Sequence, residues 1–410
     1  MKVFLVPVPV FDKTMAVDSY CFMFKSSDNL IIGDQGSGVL DGAVNPKLLE
    51  ILDEIGIDTF TLGEPGFLSI SNVALLGDFY QRFENLREHL VITLDQFVTP
   101  DPIYIDRINL IKDLGFKFAF NLPQNFKNYD PIFQLMDYIL VDQTTTNKKE
   151  AMALLEEYPN AISVACNVNS YNVFELAKAT GYKLFEGRFY RIPLTVGRSQ
   201  DVSPLKIFAI QLLNAVREDN FELDEVARIV EKDIVLSVSL LRHINSQRFA
   251  NKINNIQHAA AMIGQKEIRK WVSTTASVQL GADKPSEINK VSLIRAKFAE
   301  NLAPMFELAV HADSLFLMGL FSVIDAMLDL SIDEALSMVA VADNIREALV
   351  KNAGPFYPVY EFIQFYEAAD WASVSRFLIL YEIDAEQIYT AYIDTMRWYK
   401  SLVVAIENEQ

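Results

Sequence analysis

Short apolar runs alternate with helix-period runs through the first 195 residues, and then the alternation stops. Runs of strand length are Val3–Val10, Val17–Phe24, Phe67–Ser71, Leu90–Leu94, Phe116–Phe120, Tyr138–Val141 and Ile162–Val168. Between them, helical patterns occupy Pro46–Gly56, Ile103–Leu114, Asn147–Tyr158 and Val173–Gly181. Pro46 at a helix start and Gly56, Gly115 and Gly181 at helix ends are the usual punctuation. Strands separated by helices imply a largely parallel sheet with crossovers, either open or closed into a barrel. Near Ile192–Ser203 the pattern gives way to Pro, Gly and polar residues, which places a linker at 196–203.

From Pro204 to the end no convincing strand is present. Helices are predicted over Leu205–Arg217, Asp224–Glu231, Ile234–Ile244, Ile256–Ile263, Gln265–Leu280, Lys290–Ala309, Ser314–Leu328, Ile332–Met338, Ala342–Val350, Pro358–Glu367, Trp371–Leu380 and Ala385–Ile406. Asp224, Asp370 and Asp384 stand where N-caps would. The most readable stretch is Asp233–Trp271. Leu236, Leu240, Leu241 and Ile244 share one helical face, and Asn245-Ser246 interrupts it as a polar turn. A second run holds Ile256, Ala259, Ala260 and Ile263, and Gly264 ends it. Trp271 then falls on the inner side of a third helix. The aromatic residues from Trp371 to Tyr399 recur at helical spacing and read as packed core before they read as a partner groove. The predicted class is therefore α/β followed by all-α, with domains at 1–195 and 204–410.

Composition narrows the functional classes. The chain has 54 acidic against 36 basic residues, a net charge of −18, and the excess is shared evenly between the two parts. Such a surface repels phosphate backbones and anionic lipid, which argues against nucleic acid or a membrane surface as partner. Cys21 and Cys166 are the only cysteines, so no disulfide framework exists and a reducing cytoplasm is expected. No apolar run approaches membrane-spanning length, and the N-terminus, broken by Pro7 and Pro9, reads as a first strand rather than a signal peptide. Gly33–Gly38 is glycine-rich but lacks a P-loop lysine and dinucleotide spacing, so it reads as a loop.

Two family resemblances emerge from these residues. Leu240-Leu241-Arg242, Ile244-Asn245-Ser246, Phe249, Ile256, Ala259, Ile263-Gly264 and Ile268-Arg269-Lys270-Trp271 resemble, in order, the core of an HDOD domain, a helical bacterial signalling module related to HD-type phosphohydrolases. In the first part, Gly115–Phe120 and Gly181–Tyr190 resemble strands of an EAL domain, a TIM-like (β/α) barrel that in active members hydrolyses cyclic di-GMP with two metal ions. The order resembles that of bacterial EAL–HDOD signalling proteins. The barrel stretch is shorter than the about 250 residues of a full eight-fold barrel, which leaves an incomplete barrel open.

Carried over residue by residue, the EAL resemblance implies a degenerate site. The position of the naming glutamate is Cys21, the next strand's asparagine is Ser69, and the metal-binding glutamate is Thr93. The paired aspartates fall at Asn121 and Leu122, the K-x-D strand has Leu140 and Asp142, and the last positions are Cys166 and Glu186. Two-metal cleavage needs several hard oxygen ligands, so no catalytic residue, metal or cofactor is assigned. In the helical part, Gly319-Leu320-Phe321-Ser322-Val323-Ile324-Asp325 lacks the adjacent His-Asp pair of an HD metal centre. The implied function is a non-catalytic signalling scaffold that binds protein, with the turn Arg242, Asn245, Ser246 and Phe249 as contact candidates. Two alternatives stand beside it: a catalytically dead cyclic di-GMP receptor, for which only Arg188 and Arg191 lie near the mouth, and a hydrolase using Cys21, Asp142 and Glu186. A homo-oligomer is left open.

Overall fold

The computed structural model describes residues 3–26, 51–52, 54–95, 97–123, 125–193, 203–218, 220–232, 236–237, 239–241, 256–339 and 341–407. The chain divides into two compact units, one made of Met1–Ile192 with Gln364–Gln410, the other of Pro193–Ile363.

In the first unit eight strands form a closed barrel: β1 (Val3–Phe11), β2 (Val17–Ser26), β3 (Gly66–Ile70), β4 (Leu90–Leu94), β5 (Lys117–Asn121), β6 (Tyr138–Asp142), β7 (Ile162–Cys166) and β8 (Leu184–Glu186). The barrel is complete, contrary to the shortfall in length. It closes in part because the β5–β6 crossover shrinks to a single helical turn, Asp130–Phe133. A hairpin also replaces one crossover altogether. β1 runs antiparallel to both β2 and β8, while all other pairs are parallel. Asp12 makes that hairpin, its Oδ1 accepting from the backbone N–H groups of Thr14 and Ala16 at 2.7 and 3.0 Å. Pro7 and Pro9 are tolerated in β1 because it meets β8 only at Val10 and Phe11, so few ladder donors are needed along that side.

Three predicted crossover helices are present at Pro102–Asp113, Lys148–Glu157 and Tyr171–Thr180. Asp101, Asn147 and Ser170 cap them with side-chain oxygens. The strand predicted to run to Val168 ends at Cys166, because Asn167 adopts a left-handed φ of 59°.

The sequence reading places every helix after Pro204 in one domain. The structure instead groups the last helices, Trp371–Leu380 and Ala385–Glu407, with the barrel. The reason is aromatic packing. Phe4 of β1 lies 5.9 Å, centroid to centroid, from both Tyr366 and Trp371, and Tyr366 lies 4.7 Å from Tyr392. Of the aromatics from Trp371 to Tyr399, Tyr392 and Tyr399 are buried core and the others half-buried, and they belong to the barrel unit.

In the second unit the helix Ile256–Leu280 is interrupted at Gly264, whose φ of 81° and ψ of 168° are open to glycine alone. Ile268 and Trp271, on the helical stretch that follows, are buried. The helix Ser286–Leu302 crosses Ala312–Phe321 closely, and the helix predicted over Ser314–Leu328 breaks before Ile324. Asp370 caps its helix through Ser373 N–H, whereas Asp224 sits inside a first turn that Glu222 precedes. Among the described residues no helix is long and apolar enough to cross a membrane.

Candidate functional site

All nine positions carried over from the EAL resemblance line one cleft of about 710 Å³ inside the barrel. Cys21 comes from β2, Ser69 from β3, Thr93 from β4 and Asn121, followed by Leu122, from β5; Leu140 and Asp142 come from β6, Cys166 from β7 and Glu186 from β8. They converge because alternate residues of each barrel strand face inward, and most of these sit near the carboxyl ends of their strands, Cys21 and Leu140 lying mid-strand. Beneath them is an apolar floor of buried Val10, Phe67, Val91, Ala119, Tyr138, Val164 and Leu184, with Cys21 and Cys166 packed against it. Phe67 and Tyr138 meet edge-on, with centroids 5.0 Å apart.

The polar wall is organised by Asn167, which the sequence reading did not single out. Its backbone N–H donates to Glu186 Oε2 at 2.9 Å, and its Nδ2 donates to Asp142 Oδ2 at 3.0 Å. One residue in the left-handed conformation therefore holds both carboxylates, and asparagine is among the few side chains that adopt it readily. Thr144 adds two donors to Asp142 Oδ1, from its backbone at 2.7 Å and its hydroxyl at 2.6 Å. Gly187 completes the corner. A Cβ there would lie 2.1 Å from the Val168 carbonyl oxygen, so only glycine fits.

The two carboxylates are tuned apart. Burial pushes Glu186 above the usual carboxylate range, against the opposing pull of the Asn167 N–H and the Arg188 charge. Burial acts the same way on Asp142, but hydrogen bonds from Thr144, Asn167 and Thr145 outweigh it and hold that carboxyl below the usual range. Burial, with Glu186 nearby, pushes the Cys21 and Cys166 thiols well above theirs, so both stay protonated at neutral pH and neither is an activated nucleophile. Cys21 and Cys166 line the same cleft.

The two ions implied by the EAL resemblance do not fit these residues. Cys21, Ser69, Thr93, Leu122 and Cys166 stand where the resemblance implies oxygen ligands, which leaves too few carboxylates for two hard cations. Among the described residues no group of three His, Cys, Asp or Glu is placed to hold a metal. Nor are the arginines at the end of β8 free for phosphate. Arg188 donates to the Glu367 carbonyl, and Arg191 pairs with the Glu367 carboxylate at 2.6 Å.

The other candidate centre, Gly319–Asp325, is a packed crossing. Arg295 Nη1 donates to Ser322 Oγ at 3.1 Å, and Ser322 Oγ donates to the Gly319 carbonyl at 2.6 Å. His311 is exposed on the surface. The contact candidates Arg242, Asn245, Ser246 and Phe249, the glycine-rich Gly33–Gly38 and nearly all of the expected linker lie outside the described residues.

Residues 203–345 match the HDOD domain family. Over 99% of its length the chain is 26% identical to the Bacillus subtilis (strain 168) protein YuxH, described as uncharacterized, and covers 100% of that protein. It is 31% identical to the cyclic di-GMP phosphodiesterase CdgJ of Vibrio cholerae serotype O1 over 57% of this chain and 55% of that one. Among solved structures, an EAL domain protein from Listeria monocytogenes EGD-e aligns with 46% of this chain and 87% of its own, at 16% identity and a TM-score of 0.34. Residues 203–345 of this chain, which follow the eight barrel strands in sequence, are an HDOD domain.

Proposed function

We propose that this chain is a non-catalytic regulator in cyclic di-GMP signalling, a scaffold that acts by binding protein and whose barrel does not cleave the dinucleotide. One observation carries the reading. The cleft in which the nine positions meet keeps only two carboxylates, Asp142 and Glu186, both hydrogen-bonded to Asn167. Hydrolysis of a phosphodiester by two hard cations needs several oxygen ligands and a polarised water. Leu140 and Cys166 supply neither. The signalling context is supported by the 31% identity with CdgJ, whose name marks it as a cyclic di-GMP phosphodiesterase. The surface proposed for partner contact is the turn around Arg242, Asn245, Ser246 and Phe249.

The test is a hydrolysis assay on the full chain with cyclic di-GMP and either Mg²⁺ or Mn²⁺, with CdgJ as positive control and heat-killed protein as blank. No linear dinucleotide above the blank is expected, and Cys21→Glu should not restore any. Metal-dependent release by the wild-type chain overturns the reading.

A further inference from the structure

We propose that the barrel cleft is a binding site for a small cationic molecule with an aromatic or aliphatic body, an amine or amidine rather than a phosphate ester. This rests on the reading of the cleft as non-catalytic and names the ligand class it would take. Its volume of about 710 Å³ lies within the range that encloses a drug-sized ligand. Among the described lining residues the charged groups are Asp142 and Glu186, and no Lys, Arg or His joins them. The nearest arginines along the chain, Arg188 and Arg191, are both engaged by Glu367. An anion entering here would meet two carboxylates, opposed only by the charge of Arg188 behind Glu186, whereas a cation would gain charge-assisted hydrogen bonds from the lining itself.

A second, independent observation comes from β4, away from the two carboxylates. Thr93 Oγ1 is buried, has no hydrogen-bond partner, and belongs to a residue that lines the cleft. A buried hydroxyl left unpaired is costly, and a ligand N–H is one way to satisfy it. Asn121 adds an amide on the neighbouring strand. The remaining surface suits the body of such a ligand: Met23, Phe67, Phe97 and Tyr129 supply apolar and aromatic area, and aromatic faces attract cations further. Asp142, held ionised by Thr144 and Asn167, is the fixed anionic partner.

The experiment uses the full chain and two matched probes of opposite charge, benzamidine and benzoate, titrated calorimetrically. Saturable binding of benzamidine and none of benzoate is expected. Asp142→Asn should weaken benzamidine by about tenfold, the loss of one charge-assisted hydrogen bond. Glu186→Gln keeps the side-chain shape and should weaken it in the same direction, which preserves the test if Asp142→Asn fails to fold. Thr93→Val should also lower the affinity. Equal or tighter binding of benzoate, no binding of benzamidine to wild type, or unchanged affinity in the variants that fold would overturn the proposal. So would displacement of benzamidine by cyclic di-GMP. These titrations read ligand class whether or not the hydrolysis assay is positive, so the two conclusions fail separately.

Discussion

Replacing Gly319 by alanine sets two well-calibrated effects against each other. Within a helix alanine is favoured over glycine by about 1 kcal/mol, so the substitution would stabilise the chain if space allowed. Space does not allow it. The new Cβ would lie 2.4 Å from the carbonyl carbon and oxygen of Arg295 and 2.5 Å from the nitrogen of Ala296, all backbone atoms. Ordinary carbon contacts need about 3.5–4.0 Å, so the helices Ser286–Leu302 and Ala312–Phe321 must part by about 1 Å. Overpacking of this kind costs about 1–3 kcal/mol. Separation also stretches two buried hydrogen bonds that cross the helices, Ser292 Oγ to the Leu320 carbonyl at 2.6 Å and Arg295 to Ser322 Oγ at 3.1 Å, each worth about 1 kcal/mol. The balance is a net loss of about 2–4 kcal/mol if both bonds are lost. Of the three tryptophans, Trp371 and Trp398 lie in the barrel unit, so their replacement by phenylalanine leaves Trp271 as the fluorescent reporter of the second unit. Urea unfolding in that background should show a lower midpoint with an unchanged slope. A midpoint equal to or above that of wild type would refute the reasoning, because propensity would then have outweighed the close crossing. Gly264→Ala is the contrasting case: nothing lies within 4 Å of its Cβ, and its loss of about 1–3 kcal/mol would come from backbone conformation alone.

Trp271→Ala in the same unit should cost about 3–5 kcal/mol, since the side chain is buried to 8% exposure; a melting temperature indistinguishable from wild type would reject that core assignment. Gly187→Ala should disturb the corner that brings Asn167 to Glu186, visible as chemical-shift changes at the Asn167 amide, and an unchanged Asn167 resonance would contradict the close approach to Val168. The carboxylates predict opposite pH behaviour. Asp142, with its folded pKa held below 3.8, contributes stability that is present above that value and lost as pH falls through the folded pKa, so Asp142→Asn should be destabilised at neutral pH and converge with wild type in strong acid. Glu186, with its folded pKa raised above 4.5, binds its proton more tightly folded than unfolded, so its stabilising contribution fades as pH rises through the folded pKa. Glu186→Gln should therefore melt higher than wild type at neutral pH, with the advantage gone below about pH 4.5; thermal melts across that range check both signs.

Local pattern determined much of this protein. The strand-length apolar runs, the capped crossover helices and the glycine stop at Gly264 were legible because each depends on residues a few positions apart. The motif order around Ile268 and Trp271 pointed to the HDOD domain, and the strand resemblance named nine positions that do share one cleft. Tertiary structure decided the rest. Closure of the barrel rests on β8, three residues long, meeting β1 in antiparallel register, and no window of sequence encodes a pairing between Val10 and Glu186. Placement of the last helices with the barrel follows from the ring contacts of Phe4 with Tyr366 and Trp371, residues more than three hundred and sixty positions away. The character of the cleft was likewise hidden. Glu367, distant in sequence, engages Arg188 and Arg191, and the left-handed backbone of Asn167 ties Asp142 to Glu186. Charges and hydrogen bonds act through space, so a site's chemistry is decided only when the fold has chosen which groups become neighbours.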